Sequence, residues 1–374
     1  MSAYTIPLAK PYIPAKAMSC IAEVLASGYL SEGTVTRKFE VAFADFVGTT
    51  YAIATTSCTT GIELLLRALD IGYGDEVIVP DYTYPATAQA VMIVGATAVI
   101  VDCDPMTLNV DYAALEKAIT PRTRALLPVS LFGNPLDWGR LNQIAKKYSL
   151  PVIEDAACAL GSSYQGRRTG ALGLAAVFSL HPRKNLTTGE GGMITTSDDA
   201  LAERLRSMKH FGCKPGETRE DIRFVYLGTN LKMSDIVAAV GLAQMDNIDK
   251  VLARRQHLAQ RYKELLKKVE DTGKLYWPTT PEGGLHAWQS CCICLKNRDF
   301  ILNALRSVGI EAQIGTYALH REPLFTSHNY ARLQGQLYGS MQAYESVLAL
   351  PLYYEMEYEQ QIQVAQRIVE ECAD

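Results

Sequence analysis

The sequence predicts an α/β fold, with a large domain of mostly parallel sheet covered by helices and a smaller C-terminal α/β domain. Three observations lead there. From about residue 50, short aliphatic runs alternate with amphipathic stretches. The runs lack strict polar–apolar alternation, which is the mark of strands buried on both faces. After about residue 235 the rhythm changes to long helical periodicity.

The strand candidates are Glu76-Val-Ile-Val-Pro80, Ala98-Val-Ile-Val-Asp102, Ala125-Leu-Leu-Pro-Val129 and Pro151-Val-Ile-Glu154, ending in or interrupted by polar residues or proline. Between and before them lie helix candidates at Thr60–Leu69, Pro85–Val94, Asp111–Ile119 and Leu136–Tyr148. Pro85 suits a first helical position and Asp111 an N-cap. Asp235 to Val269 is apolar at helical spacing and reads as one kinked helix or two. Beyond it, Trp288–Leu295 reads as a strand, and helices are expected near Arg298–Val308 and Tyr358–Cys372. The division expected is residues 1–250 for the large domain and 251–374 for the small one, with segment 1–14 packing against the latter.

The bulk numbers narrow the class of function. At 374 residues the chain can bury a substantial core, and 48% apolar with 20% charged residues is ordinary globular composition. A net charge of -4 supplies no general attraction to nucleic acid or anionic membrane, so any phosphate must be held by a local site. The N-terminus lacks the basic and apolar regions of a secretory signal, and Ala86–Val101 reads as helix, turn and strand rather than a membrane span. Nine scattered cysteines suggest reduced thiols in a cytoplasmic protein. No metal site is expected, since Cys291, Cys292 and Cys294 sit in a strand-like run without partners.

Three segments carry the chemistry. Ala54-Thr-Thr-Ser-Cys-Thr-Thr-Gly-Ile-Glu63 places hydroxyls between a strand and a helix, which makes either an anion site or an ordinary N-cap. Pro151-Val-Ile-Glu-Asp-Ala-Ala-Cys-Ala-Leu-Gly161 puts Asp155 at the carboxyl end of a buried strand. There it pairs with a protonated heterocyclic nitrogen or simply caps the next helix. Val177-Phe-Ser-Leu-His-Pro-Arg-Lys-Asn-Leu-Thr-Thr-Gly-Glu-Gly-Gly192 holds Lys184 in a tight loop between two buried strands. A Schiff-base lysine needs such burial and neighbouring charge. A solvated loop lysine explains the surrounding loop poorly.

Together these segments resemble the sugar aminotransferases of the DegT/DnrJ/EryC1/StrS family, within the pyridoxal-phosphate (PLP) enzymes of fold type I. The resemblance spans almost the whole chain. It is most specific at Gly74-Asp-Glu-Val-Ile-Val-Pro80, Glu154-Asp-Ala-Ala157 and Phe178 through Gly192, with Gly228-Thr-Asn230 in support. It implies PLP as cofactor, with the pyridoxamine form arising in turnover. Lys184 then matches the Schiff-base lysine that also moves protons, and Asp155 the partner of the pyridine nitrogen. Tyr84 matches an aromatic stacked on the ring, and Ser57, Cys58, Thr59 and Ser179 fall at phosphate positions. Cys158 falls beside the phenolic oxygen. Asn230 matches a residue that reaches the phosphate of the neighbouring subunit, which implies a homodimer with shared sites. Tyr29 and His320 match substrate-side elements.

The chain departs from the pattern at Cys158, where many members carry Gln or His, and at Cys58, where glycine is usual. Arg183 stands where many members have threonine. The reaction this resemblance implies is amination of a nucleotide-linked keto-sugar, with an amino acid, glutamate, as donor in a ping-pong scheme. Aminotransfer to a cyclitol or another non-nucleotide ketone is the nearest alternative, and a PLP-binding regulator is a more distant one. A regulator usually adds a basic DNA-binding module, and none is evident here. An inactive partner subunit fits poorly with the intact set of Asp155, Ser179 and Lys184, and Lys184 argues against the dehydratases that carry histidine there.

Overall fold

The computed structural model describes residues 4–214, 216 and 218–373. The main sheet runs, from one edge, Tyr51–Thr55, Gly192–Thr196, Ala175–Ser179 and Ile153–Asp155. It continues through Thr123–Leu126, Glu76–Pro80, Thr97–Val101 and Ala331–Leu333. The two halves join where the amide of Leu126 donates to the Pro151 carbonyl and that of Asp155 to the Pro128 carbonyl. Every pairing is parallel except those of Gly192–Thr196, which is antiparallel to both neighbours. This is the mostly parallel sheet the aliphatic runs predict.

Both faces of the sheet are covered. Ile53, Val177 and Ile194 pack on one face with Leu64 and Leu65 of the helix Cys58–Ala68 and Val91 of the helix Ala86–Ile93. Their strand neighbours Ala52, Phe178 and Met193 point the other way, toward Phe39 and Phe43 of the helix Thr34–Val47 and Ala238. Two-sided burial at period two explains why the strands read as continuous apolar runs. Asp111 caps the helix Tyr112–Lys117 by accepting from the amides of Ala113 and Ala114, as expected of an N-cap.

The ambiguous stretch after residue 235 forms two helices, Asp235–Met245 and Ile248–Asp271. The second leads to an antiparallel sheet in the order Leu275–Tyr276, Cys291–Leu295, Val347–Leu350, Gln313–Ile314. The helices Arg298–Ser307 and Tyr358–Ala373 share its core. Ile6 is buried in this same core, and Leu352 donates its amide to the Leu8 carbonyl. One stretch leaves the small sheet: Tyr317–Ala318 pairs with Tyr82–Thr83, and Ala331–Leu333 extends the large sheet beside Thr97–Val101. Among the described residues no helix is long and apolar enough to cross a membrane, and no group of three or more His, Cys, Asp or Glu is placed to hold a metal. Cys291, Cys292 and Cys294 are buried free thiols.

Candidate active site

The functional side chains converge at the carboxyl ends of the parallel strands, where an open α/β sheet leaves a crevice. Lys184 arrives on the loop between Ala175–Ser179 and Gly192–Thr196. That loop is closed at its base by the Leu180 amide on the Gly191 carbonyl, at 2.9 Å. It is held further by Gln244, a buried residue of the helix Asp235–Met245, which accepts from the Thr187 amide at 3.1 Å and donates to the Thr187 carbonyl at 2.6 Å. Fixing the loop this way fixes where the lysine amine can reach. Its Nζ lies 3.0 Å from Cys158 Sγ.

Asp155 ends the strand Ile153–Asp155 and is buried. Its two oxygens divide their bonds. Oδ2 accepts from the Thr87 hydroxyl at 2.7 Å and Oδ1 from the Ala157 amide at 3.0 Å. Burial raises the carboxyl above its ordinary range, while Thr87, Ala157 and the Lys184 cation pull it back. Burial likewise lowers Lys184, but Cys158, Cys58 and Asp155 more than reverse this, so the net direction is upward. Burial keeps the Cys58 thiol well above its usual range, in the neutral form. Asp155 adds its own upward pull on the amine, after that of Cys158.

Ser57 caps the helix Cys58–Ala68, its hydroxyl accepting from the Thr60 amide at 3.1 Å while the Thr60 hydroxyl accepts from the Ser57 amide at 3.1 Å. The ordinary N-cap reading is thus correct. It leaves the first-turn amides at Cys58 and Thr59 without intrahelical partners, so the anion reading survives beside it. The strand Gly192–Thr196 passes so close that a Cβ on Gly192 would lie 2.3 Å from the Ser57 carbonyl oxygen, which only glycine tolerates. Ser179 ends the adjacent strand, and its hydroxyl accepts from the His181 amide at 3.4 Å.

Above the strand ends, Tyr84 is exposed and meets Tyr317 edge-on, with ring centroids 6.1 Å apart. Beside them, His320 Nδ1 lies 2.7 Å from Asp81 Oδ2, and its amide donates to Asp81 Oδ1 at 2.8 Å. The bond to the fully buried Asp81 raises the imidazole above its usual range, so His320 is charged more readily than a free histidine. Asn230 and Tyr29 stand apart from this group. Asn230 is exposed and accepts from Lys232 Nζ at 2.7 Å, and Tyr29 is a solvent-facing ring at 82% exposure.

Three residues escape the sequence reading: Thr87, which steadies Asp155; Asp81, which holds His320; and Gln244, which clamps the lysine loop. Asp81 had a signal, since it closes the strand Glu76–Pro80 at the ligand end. Thr87 and Gln244 had none beyond being polar within apolar helices.

The donor set fits PLP. Lys184 offers an amine, Asp155 a buried carboxylate with lone pairs to spare for a pyridinium, and the Ser57 helix an N-terminus for phosphate. Such a fold and site fit a PLP-dependent enzyme. Residues 11–369 match the model of the DegT/DnrJ/EryC1/StrS aminotransferase family, and the chain belongs to that family. It is similar to the GDP-perosamine synthase of Caulobacter vibrioides, 39% identical over 85% of this chain and 86% of the relative. It is also similar to the spore coat polysaccharide biosynthesis protein SpsC of Bacillus subtilis, 35% identical over 94% of this chain and 93% of the relative. Among solved structures, the PLP-form of Spr1654 from Streptococcus pneumoniae superposes with a TM-score of 0.90 at 26% identity, covering 99% of this chain and 100% of that one. The same protein is known in a PMP-form. The chain is a PLP-dependent aminotransferase.

Proposed function

We propose that the protein aminates a nucleotide-linked keto-sugar with an amino-acid donor, glutamate, to give an amino-sugar. The observation that carries this is Lys184 Nζ, held 3.0 Å from Cys158 within the field of Asp155, at the ligand end of the sheet. The resemblance to a GDP-perosamine synthase supports a nucleotide-linked sugar as acceptor. PLP, when bound, supplies an electron sink for the carbon that loses or gains a proton.

The chain's own residues do the rest. Lys184 anchors the cofactor and, once released, carries the proton to and from that carbon. Asp155 keeps the pyridine nitrogen protonated, and Thr87 holds Asp155 in line. With PLP bound, Ser57, Cys58, Thr59 and Ser179 would hold the phosphate, Tyr84 would cover the ring, and Cys158 would serve the phenolic oxygen. His320, oriented by Asp81 and raised by it above its usual range, faces the sugar side with Tyr29. Asn230 lies apart from Lys184 within one chain, in keeping with service to the site of a second copy in a homodimer. The enzyme works in the cytoplasm, where nucleotide-linked sugars and reduced thiols coexist.

The test is an amination screen of nucleotide-linked keto-sugars with glutamate, read by mass spectrometry. The expected product carries an amine in place of the ketone, with 2-oxoglutarate formed in equal amount. Amination of a cyclitol or free ketone, with every nucleotide-linked sugar inert, would overturn the assignment.

A further inference from the structure

We propose that Arg183 takes the carboxylate of the amino-acid donor, in a slot beside Lys184 completed by Gln289 and Gln313. The inference rests on the aminotransferase reading above and concerns its donor side. Arg183 immediately precedes the lysine, on the same clamped loop. Its Nη1 donates to Gln313 Oε1 at 3.1 Å, and its carbonyl accepts from Gln289 Nε2 at 2.9 Å. The loop is thus tied to Gln289 and Gln313 of the C-terminal region.

Gln289 is itself held in place. The buried Arg255 donates from Nε to the Trp288 carbonyl at 2.8 Å and from Nη2 to the Gln289 carbonyl at 2.6 Å. The wall facing Arg183 is therefore rigid. A neutral amide is all that meets the guanidinium: among the described residues Arg183 forms no ion pair. A guanidinium whose side-chain partner is a neutral amide, one residue along the chain from Lys184, is suited to a carboxylate, which it can bind through two parallel hydrogen bonds once the amide yields.

Size decides which anion. The cavity lined by Arg183, Gln289 and Gln313 measures about 90 Å³, and Leu8, Leu350 and Leu352 line it as well. About 10–15 Å³ of such volume holds one water, so the slot has room for a carboxylate and its short chain. Nucleotide-sized ligands occupy sites of roughly 300–1,000 Å³, well beyond it. The apolar wall suits methylenes, as in the side chain of glutamate. The acceptor's diphosphate belongs elsewhere.

The experiment uses the holoenzyme, Arg183→Gln and Arg183→Lys. Glutarate binding is measured by calorimetry, and the two half-reactions are followed separately by cofactor absorbance. Arg183→Gln should weaken glutarate and raise the half-saturating glutamate concentration roughly 10- to 100-fold, as loss of a charge-assisted pair does. The half-reaction with the keto-sugar should move far less, which also shows the variant is folded. Arg183→Lys should recover part of the loss, since it restores charge without the fork. Equal loss in both half-reactions, or a glutamate constant that does not move, overturns the role of Arg183. So does failure of the wild-type protein to bind glutarate. If instead glutarate binds in an Arg183-dependent way but no nucleotide-linked keto-sugar is aminated, the donor slot stands and the acceptor assignment falls.

Discussion

Glu154 and Asp155 are neighbours on one strand, both buried, and the pleat sends them to opposite faces of the sheet. Asp155 points into the crevice, toward Thr87 and the Lys184 amine. Glu154 points into the packed side, where it takes a hydroxyl from Ser130 and the Gly170 amide at 3.3 Å. Burial, with the Asp155 charge in addition, pushes Glu154 up to about 7 against the pull of Ser130 and Gly170, and among the described residues no cation offsets it. The difference teaches that depth alone does not place a carboxylate beside reactive groups. What separates the two is a lysine on one side and its absence on the other.

The most damaging change should be removal of that lysine. Lys184→Ala takes away both the covalent anchor and the proton carrier, so turnover should fall by about 10⁴-fold or more. The absorption band of the cofactor–lysine linkage should vanish as well. A Lys184→Ala protein with turnover near wild type would dissolve the distinction between the two carboxylates, because nothing would remain to mark one as functional.

Asp155→Asn should rank next. It keeps the shape and the Thr87 contact but cannot hold a pyridinium as an ion pair. Charge stabilisation matters most when the ring is accepting electrons, so kcat should fall roughly 100-fold or more while PLP affinity falls less. Collapse of PLP affinity with intact kcat in the reconstituted enzyme would reduce Asp155 to a binding residue. It would then resemble Glu154 more than the geometry suggests.

This pair also marks how far a sequence carries. The strands were legible because two-sided burial leaves continuous aliphatic runs, and the lysine loop because glycines close it between two such runs. Asp155 was legible by its position at a strand end. What gave each group its character was not. Thr87 lies 68 residues from Asp155, and Asp81 lies 239 from His320. Pairings of that span leave no period or spacing behind. The return of Ala331–Leu333 to the large sheet was hidden for the same reason. Tyr29 and Asn230 are the opposite case: both lie at the surface of the chain, where no packing marks either as part of a site.

The smallest effect expected lies on the quiet side of the strand. Glu154 is held near 7 in the fold against about 4.5 when unfolded, so the folded protein keeps a proton that the unfolded chain releases. Stability from this group is complete below the unfolded value, declines as pH rises, and levels off above the folded value. The total decline is about 3 kcal/mol, at 1.36 kcal/mol for each unit between the two values. Glu154→Gln cannot titrate, so the difference in unfolding free energy between wild type and variant should shift by about that amount between pH 4.5 and 8. Taking the difference cancels His320, whose raised imidazole tilts stability in the same direction in both proteins. The glutamine loses some stability at pH 4.5, because its amide nitrogen and the Gly170 amide are both donors. It should regain ground steadily as the wild type is forced to ionise. Activity should stay near wild type, since Glu154 faces away from the crevice. Urea midpoints at pH 4.5, 6, 7 and 8 read the result. A difference that stays flat over this range would mean that Glu154 is ionised in the fold, and the two carboxylates would then differ in direction but not in charge.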